Sequence, residues 1–382
     1  MLGARNPARQ MLLRTNKQHR PLPSSSQTRT IHISTSRLRT GALEPLRQTK
    51  SVITLADCEE AGFRLFRKTD PKQIILYMYR NSPSVIIGRN QNPWKEVNLH
   101  RLADLGIPIV RRKSGGGTVY HDLGNTNYCV FVPRTGFERR TNAVMVAEAL
   151  NTLEINAYVN DRNDICVDKF KMTFKLVNAR AYHHGTMLID AKLSDLRGVL
   201  GTQKATLITK GVASVSSPVR NLVEWKSSIN HDEFVKAVSN QFAKQQGLAD
   251  ALSIQAGYTQ RQLRVDEEEA GRNDYVAKVM DELDSWGYKW GSTPEFTHDI
   301  KGKLPFGSLA VRIHSKGAII TGVELLEPPK QIEWRQVVEE LVDMLEGDHY
   351  GTLDGMDAAL RGLNGFKAQR MKTIVEWLKD EM

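Results

Sequence analysis

The chain has no run of 18 or more apolar residues in its 382, so no membrane-spanning helix is expected. It has only three cysteines, Cys58, Cys129 and Cys166, without paired spacing. That argues against a disulfide framework or a zinc site and fits a reducing compartment. Acid is nearly missing from the first 50 residues, where Glu44 stands against ten Lys and Arg. This segment carries +9 of the formal +10, so the remaining 332 residues are close to neutral. A global basic field that would attract nucleic acid is therefore lacking. Two phosphate-binding signatures are missing as well. No GxxxxGK[ST] and no GxGxxG occurs, which argues against a Walker loop and a dinucleotide fold.

Hydrophobic content of 40% and charged content of 25% are those of an ordinary globular protein, and the length suits one large domain plus a smaller one. Residues 1–50 are rich in Arg, from Arg5 and Arg9 to Arg39 and Arg47, and in Ser and Thr. This is the composition of a mitochondrial transit peptide, with cleavage expected between about residues 30 and 50. The alternative is a basic tail.

In the rest of the chain, Gln73–Tyr79 and Ser84–Gly88 read as strands about an Asn81-Ser82-Pro83 turn. Trp94–Leu105 has helical apolar spacing, and Ile107–Val110 is a strand running into a glycine loop. Strands are expected at Val119–Tyr120, Asn127–Val132, Ile155–Val159, Asp164–Val167 and Ala181–Ile189. Helices are expected at Asn142–Leu153, Leu193–Leu200 and His231–Gln245. Residues 246–272, with the acidic run Asp266–Glu269, read as a solvated connection. Beyond it come helices at Tyr275–Trp286, Trp334–Leu345, Met356–Leu363 and Lys372–Leu378. Strands at Leu309–His314 and Ala318–Leu325 join through Ser315-Lys316-Gly317. Strands and helices do not alternate regularly, so an α+β fold is expected.

The chemistry concentrates at Arg111-Arg112-Lys113-Ser114-Gly115-Gly116-Gly117. Three glycines leave backbone N–H groups unshielded and allow positive φ, so the loop can wrap a phosphate or a carbonyl. The neighbouring cations favour an anionic ligand; a flexible basic turn is the other reading. His121, Asp122, His183 and His184 have no recognised metal spacing, and structural hydrogen bonding is favoured over acid–base catalysis for them. Cys129 and Cys166 lie in apolar strands, where an inert buried thiol is expected.

The loop continues as Thr118-Val119-Tyr120-His121-Asp122-Leu123-Gly124-Asn125. The whole stretch resembles the lipoate–protein ligase and lipoyltransferase family, whose motif reads RRxSGGGxVYHDxGN. Asn81–Trp94, ending GRNQNPW, resembles the family's other long motif. Arg162-Asn163-Asp164 and His183-His184-Gly185-Thr186-Met187-Leu188 resemble its RND and HHGTLL segments, and Trp290–Phe296 the start of its accessory domain. The resemblance covers about residues 71–325. It implies a mixed-sheet lipoyl/biotin ligase-like catalytic domain over 51–250 and a small α+β accessory domain over 270–382.

It also implies a two-step reaction. Lipoate is activated by ATP to lipoyl-AMP, with Mg2+ expected, and the acyl group passes to a lysine of a lipoyl-domain protein. The implied acceptors are 2-oxoacid dehydrogenase E2 subunits and the glycine cleavage H protein. By resemblance, Arg112 and the backbone at Gly117, Thr118, Val119 and Tyr120 contact the nucleotide. Gly115, Gly116 and His184 border the lipoyl group, and Lys171 touches both the lipoyl carbonyl and the phosphate. Donors so placed stabilise developing charge. From residue type alone, Lys171 would be an exposed strand lysine.

The chain departs from the family after Lys171. The family continues [IV]-S-G-S-A-[YF]-[KR]; this chain has Met172-Thr173-Phe174-Lys175, three residues shorter, and Lys169 stands where Gly is usual. Thr54–Glu60 also departs from the family's N-L-A-x-E helix start. Two alternatives to the ATP-dependent ligase stay open. One is a transferase using a preformed lipoyl or octanoyl donor, and the other is a non-catalytic binder of lipoyl domains.

Overall fold

The computed structural model describes residues 31–36, 74–133, 137–168, 170–171, 181–196, 198–201, 204–215, 219–246, 261–265, 278 and 281–382. The transit-peptide reading falls largely outside them, as does Met172–Lys175. Ile31–Ser36 (β1) is an exception: it is a strand inside the segment expected to lie apart from the fold.

The first unit is built on a five-stranded antiparallel sheet. β1 lies between Ile74–Tyr79 (β2) and a later strand, and β2 pairs with Asn125–Val132 along the far side. Between them in sequence come Ser84–Ile87 (β3), the helices Pro93–Glu96 (α1) and Leu99–Asp104 (α2), Ile109–Arg111 (β4) and Val119–His121 (β5), before Asn125–Val132 itself (β6). The expected single helix over Trp94–Leu105 is thus two. Val97 is extended, with φ −140°, and the Asn98 side chain accepts from the Arg101 N–H to start α2 afresh.

Arg139–Thr152 (α3), Ala157–Val159 (β7), Ile165–Val167 (β8) and Phe170–Lys171 (β9) follow, the three strands forming a small antiparallel sheet. Ala181–Leu188 (β10) returns to pair with β6. Strand alternation sorts the main sheet. Leu76, Met78, Tyr128, Val130 and Val132 face a core completed by α3 and by His231–Gln245 (α4), through Val146, Leu150, Phe234 and Phe242. Tyr77, Tyr79, Cys129 and Phe131 take the opposite face. Cys129 and Cys166 are both buried, as expected for cysteines in apolar strands. Between β10 and α4, Leu207–Thr209 (β11) leaves the first unit altogether. Arg261–Val265 (β12) pairs with β1, so a strand interrupts what the sequence presents as a solvated connection.

The second unit begins with the helical turn Trp286–Lys289 (α5). It continues as the meander Phe296–Leu304 (β13), Gly307–Lys316 (β14) and Ile319–Glu327 (β15), with β11 on its edge. Gly317 and Ala318, both with positive φ (59° and 54°), form the two-residue turn between β14 and β15, as a tight hairpin requires. Ile332–Leu345 (α6), Asp354–Leu360 (α7) and Phe366–Glu381 (α8) cover one face through Val338, Leu341, Ile374 and Leu378. The first unit contributes Trp94 and Leu207 to this core, so a boundary near residue 250 does not separate the packing. Trp94 is 5% exposed and meets Trp290, Phe296 and Tyr350 at ring-centroid distances of 5.3, 6.0 and 5.0 Å.

Candidate functional site

The site rests on a three-stranded sheet with β3 in the middle. β4 runs parallel to β3 on one side and β5 antiparallel on the other. The C-terminal end of β4 and the start of β5 therefore lie at the same end of β3. The connection between them, residues 112–118, has to arch over the last residues of β3. That arch is the glycine loop. Two backbone bonds bind it there, Arg112 N–H to Ile87 O at 3.0 Å and Arg89 N–H to Ser114 O at 2.9 Å. The approach is so close that a Cβ built on Gly88 would lie 2.0 Å from Gly116 O. Gly116 itself has φ +103°, which a side chain would oppose.

Gln91 locks the arch from below. It is fully buried, and its Oε1 accepts from Gly88 N–H (2.8 Å) and from Thr118 Oγ1 (2.9 Å). Its Nε2 donates to Val212 O and Ser214 Oγ. Ser214 Oγ also accepts from Thr118 N–H at 2.9 Å and donates to the buried carboxylate of Glu96. The strap at Gly211–Ser214 thus lies against the loop.

The cations do not act as one group. Arg112 turns inward, donating to Ile86 O (3.1 Å), Gly115 O (2.9 Å) and Gly117 O (2.7 Å). Its flanking neighbours turn the other way. Arg111 is fully buried and bonded throughout to protein, and Lys113 pairs with Glu282 at 3.2 Å. Only Arg112 of the three is turned toward the inner wall. The expectation of a triple-cation anion site is corrected accordingly.

Opposite Arg112 stands the second face of the main sheet. His184, Cys129 and Tyr77 are in register across β10, β6 and β2, and Tyr79 OH hydrogen-bonds His184 Nε2 at 2.9 Å. His121 is buried, and its Nδ1 accepts from Asn81 Nδ2 at 2.9 Å. Burial, the neighbouring His184 and the Arg112 guanidinium depress the His121 pKa to about 3. Burial, Arg112 and His183 bring that of His184 to about 3 as well. Both rings are neutral at physiological pH, suited to hydrogen bonding rather than proton transfer. Asp122 caps backbone instead of reacting, its oxygens accepting from Gly124 N–H and Lys192 N–H at 2.8 Å each.

The structure thus brings together Arg112, Gly115, Gly116, Gly117, Thr118 and His184. Val119 pairs with Ile86 by its backbone, and the Tyr120 ring is buried in an apolar cluster with Val85 and Ile87. Lys171 is placed by its backbone alone, at the end of β9 opposite Cys166. Sequence reasoning missed Gln91, Glu96 and Ser214 as site builders. Gln91 was inside a motif; Ser214 had no local signal. Between the two units there is also an apolar cavity of about 320 Å³. Its lining, which includes Trp94, Leu102, Ile109 and Trp286, contains none of the expected site residues.

Residues 59–243 match the family model of the lipoyl protein ligase A/B catalytic domain. Lipoate-protein ligase A of Psychrobacter cryohalolentis is 31% identical over 321 residues, which is 83% of this chain and 93% of that protein. Lipoate-protein ligase A of Bdellovibrio bacteriovorus is 31% identical over 325 residues, 82% of this chain and 91% of its own. Among solved structures, P. falciparum LipL1, crystallised with lipoate, shares the fold. The TM-score is 0.50 at 23% identity, over 87% of this chain and 98% of that one. A match of that extent includes the glycine-loop arch and reaches into the second unit, and the chain belongs to the lipoate–protein ligase A family of ligases.

Proposed function

We propose that the chain activates lipoate with ATP and transfers the lipoyl group to a lysine of a lipoyl-domain protein. The observation that carries this reading is the glycine loop arched over Gly88, with Arg112 beneath it and the Tyr79–His184 pair across from it. A carboxylate oxygen of lipoate attacks the α-phosphorus and pyrophosphate leaves. The acceptor amine then attacks the acyl carbon, and AMP leaves. Arg112 carries the charge that a phosphate next to the loop would meet, and unshielded loop N–H groups add donors. The neutral His184 ring and Tyr79 hydroxyl offer hydrogen bonds to an acyl carboxylate without competing for a proton. Lys171 is the family's position for bridging acyl and phosphate groups.

Among the described residues no group of three or more His, Cys, Asp or Glu could hold a metal. Mg2+ would be bound chiefly by the nucleotide phosphates. The Arg-rich residues 1–50 support a mitochondrial location. E2 subunits of 2-oxoacid dehydrogenases and the H protein are the acceptors that the family implies there.

The test is incubation with ATP, lipoate and an acceptor domain, reading pyrophosphate release and acceptor mass. Release with a lipoyl mass increment is expected. No release, with transfer from preformed lipoyl-AMP or an acyl-CoA, would replace this reading with the transferase one. The three-residue shortening after Lys171 is the observation that favours that second reading.

A further inference from the structure

Strand β4 ends in a cation that the proposed chemistry does not use. Arg111 has no exposed surface. Its Nη1 donates to three carbonyls of one turn, Gly88 O (3.3 Å), Arg89 O (3.0 Å) and Gln91 O (2.7 Å). Its Nε donates to Lys289 O at 2.8 Å and its Nη2 to Thr293 Oγ1 at 3.0 Å. One guanidinium therefore clasps two segments about 200 residues apart, the turn beneath the glycine arch and the first turn of the second unit. All five of these partners are neutral oxygens. A rigid fork with five donors can reach both sides at once, which a lysine cannot. Burial lowers the Arg111 pKa to about 10, which leaves the cation charged at neutral pH.

We propose that Arg111 is a positioning residue for the activation pocket, setting the Gly88–Gln91 turn, and through it the glycine loop, by the place of the second unit. The chain of contacts is continuous. The second unit holds Arg111 through Lys289 and Thr293. Arg111 holds the Gly88, Arg89 and Gln91 carbonyls. Gly88 underlies Gly116, and the Gln91 side chain fixes Gly88 N–H and Thr118 Oγ1. A shift of Lys289–Thr293 cannot leave the turn in place without stripping partners from a buried cation, which is costly. The flanking Lys113–Glu282 pair ties the same strand extension to the segment that leads into the second unit.

The kinetic arm of the test rests on the ATP-activation reading. In the full chain, Thr293→Val removes the second unit's side-chain hold on Arg111, and Thr293→Ser keeps it. The Val variant is expected to raise KM for ATP about 5-fold or more, with kcat changed less. It should also speed hydrogen exchange of the backbone amides at 88–91, and the Ser variant should restore both. Arg111→Lys should shift the same two readouts further. A Val variant whose thermal midpoint falls while KM and exchange at 88–91 stay as in the parent would overturn the proposal. If the parent chain itself releases no pyrophosphate, the ligase reading fails, and the exchange measurement decides the Arg111 proposal alone.

Discussion

A methyl group at position 88 would sit 2.0 Å from the Gly116 carbonyl oxygen, closer than any real contact, and one of the two backbones would have to move. Gly88→Ala is therefore expected to cut pyrophosphate release about 100-fold, the effect of an ångström-scale misplacement at a reacting centre. The thermal midpoint should fall only modestly, as a melting curve beside the activity assay would show. Gln91→Leu should act on stability too, because it leaves the Gly88 N–H and the Thr118 hydroxyl without their common acceptor. A loss on the order of 1–3 kcal/mol is expected in a urea titration. At this scale the sequence revealed the loop and Arg112, since both lie in one contiguous motif. It could not reveal the work of Arg111, whose second set of partners lies 178 and 182 residues away. Nor could it reveal Ser214, which reaches Thr118 from 96 residues on. Such partners are set by packing, which no local pattern encodes.

Elements with a clean period were legible. The helix over His231–Gln245 has its expected bounds, with Asn230 accepting from Glu233 N–H at its start. The hairpin of β14 and β15 is where it was expected, with its turn moved to Gly317 and Ala318 and its strands running on to Gly307 and Glu327 at the outer ends. β13 was not anticipated. Its inward positions Phe296, His298 and Ile300 include a histidine, which breaks the apolar alternation. The histidine is tolerated because its Nδ1 bonds Tyr350 OH at 2.7 Å. The break between α1 and α2 had a readable signal in Asn98. Replacing it by Ala removes the cap on Arg101 N–H and should cost about 1 kcal/mol in chemical denaturation, with little change in activity. β1 makes the N-terminal boundary testable in the same terms. It lies between β2 and β12, so a chain begun at residue 31 should unfold at a higher denaturant concentration than one begun at 51.

Over the whole molecule, acid sensitivity follows from rings buried in neutral form. His121 and His184 are depressed to about 3 and His298 to about 4, burial being the largest cause in each. The unfolded chain takes up these protons near pH 6.5 while the folded chain refuses them until far lower. Stability is thus held above pH 6.5 and lost as pH falls, each ring adding up to ~1.4 kcal/mol per pH unit. A urea midpoint that drops between pH 7 and pH 5, less steeply in His121→Asn, is the expected result. An unchanged midpoint over that range would show that the rings already titrate in the folded state.

The ring of Trp94 crosses from the first unit into the second, where it stands 5.3 Å from Trp290 at an interplanar angle of 40°. Two indoles so close and so tilted exchange excitation, so the seam between the units carries its own chromophore pair. Its near-ultraviolet dichroism should vanish in Trp290→Phe and weaken whenever the units part, giving an optical gauge of their separation without any attached label.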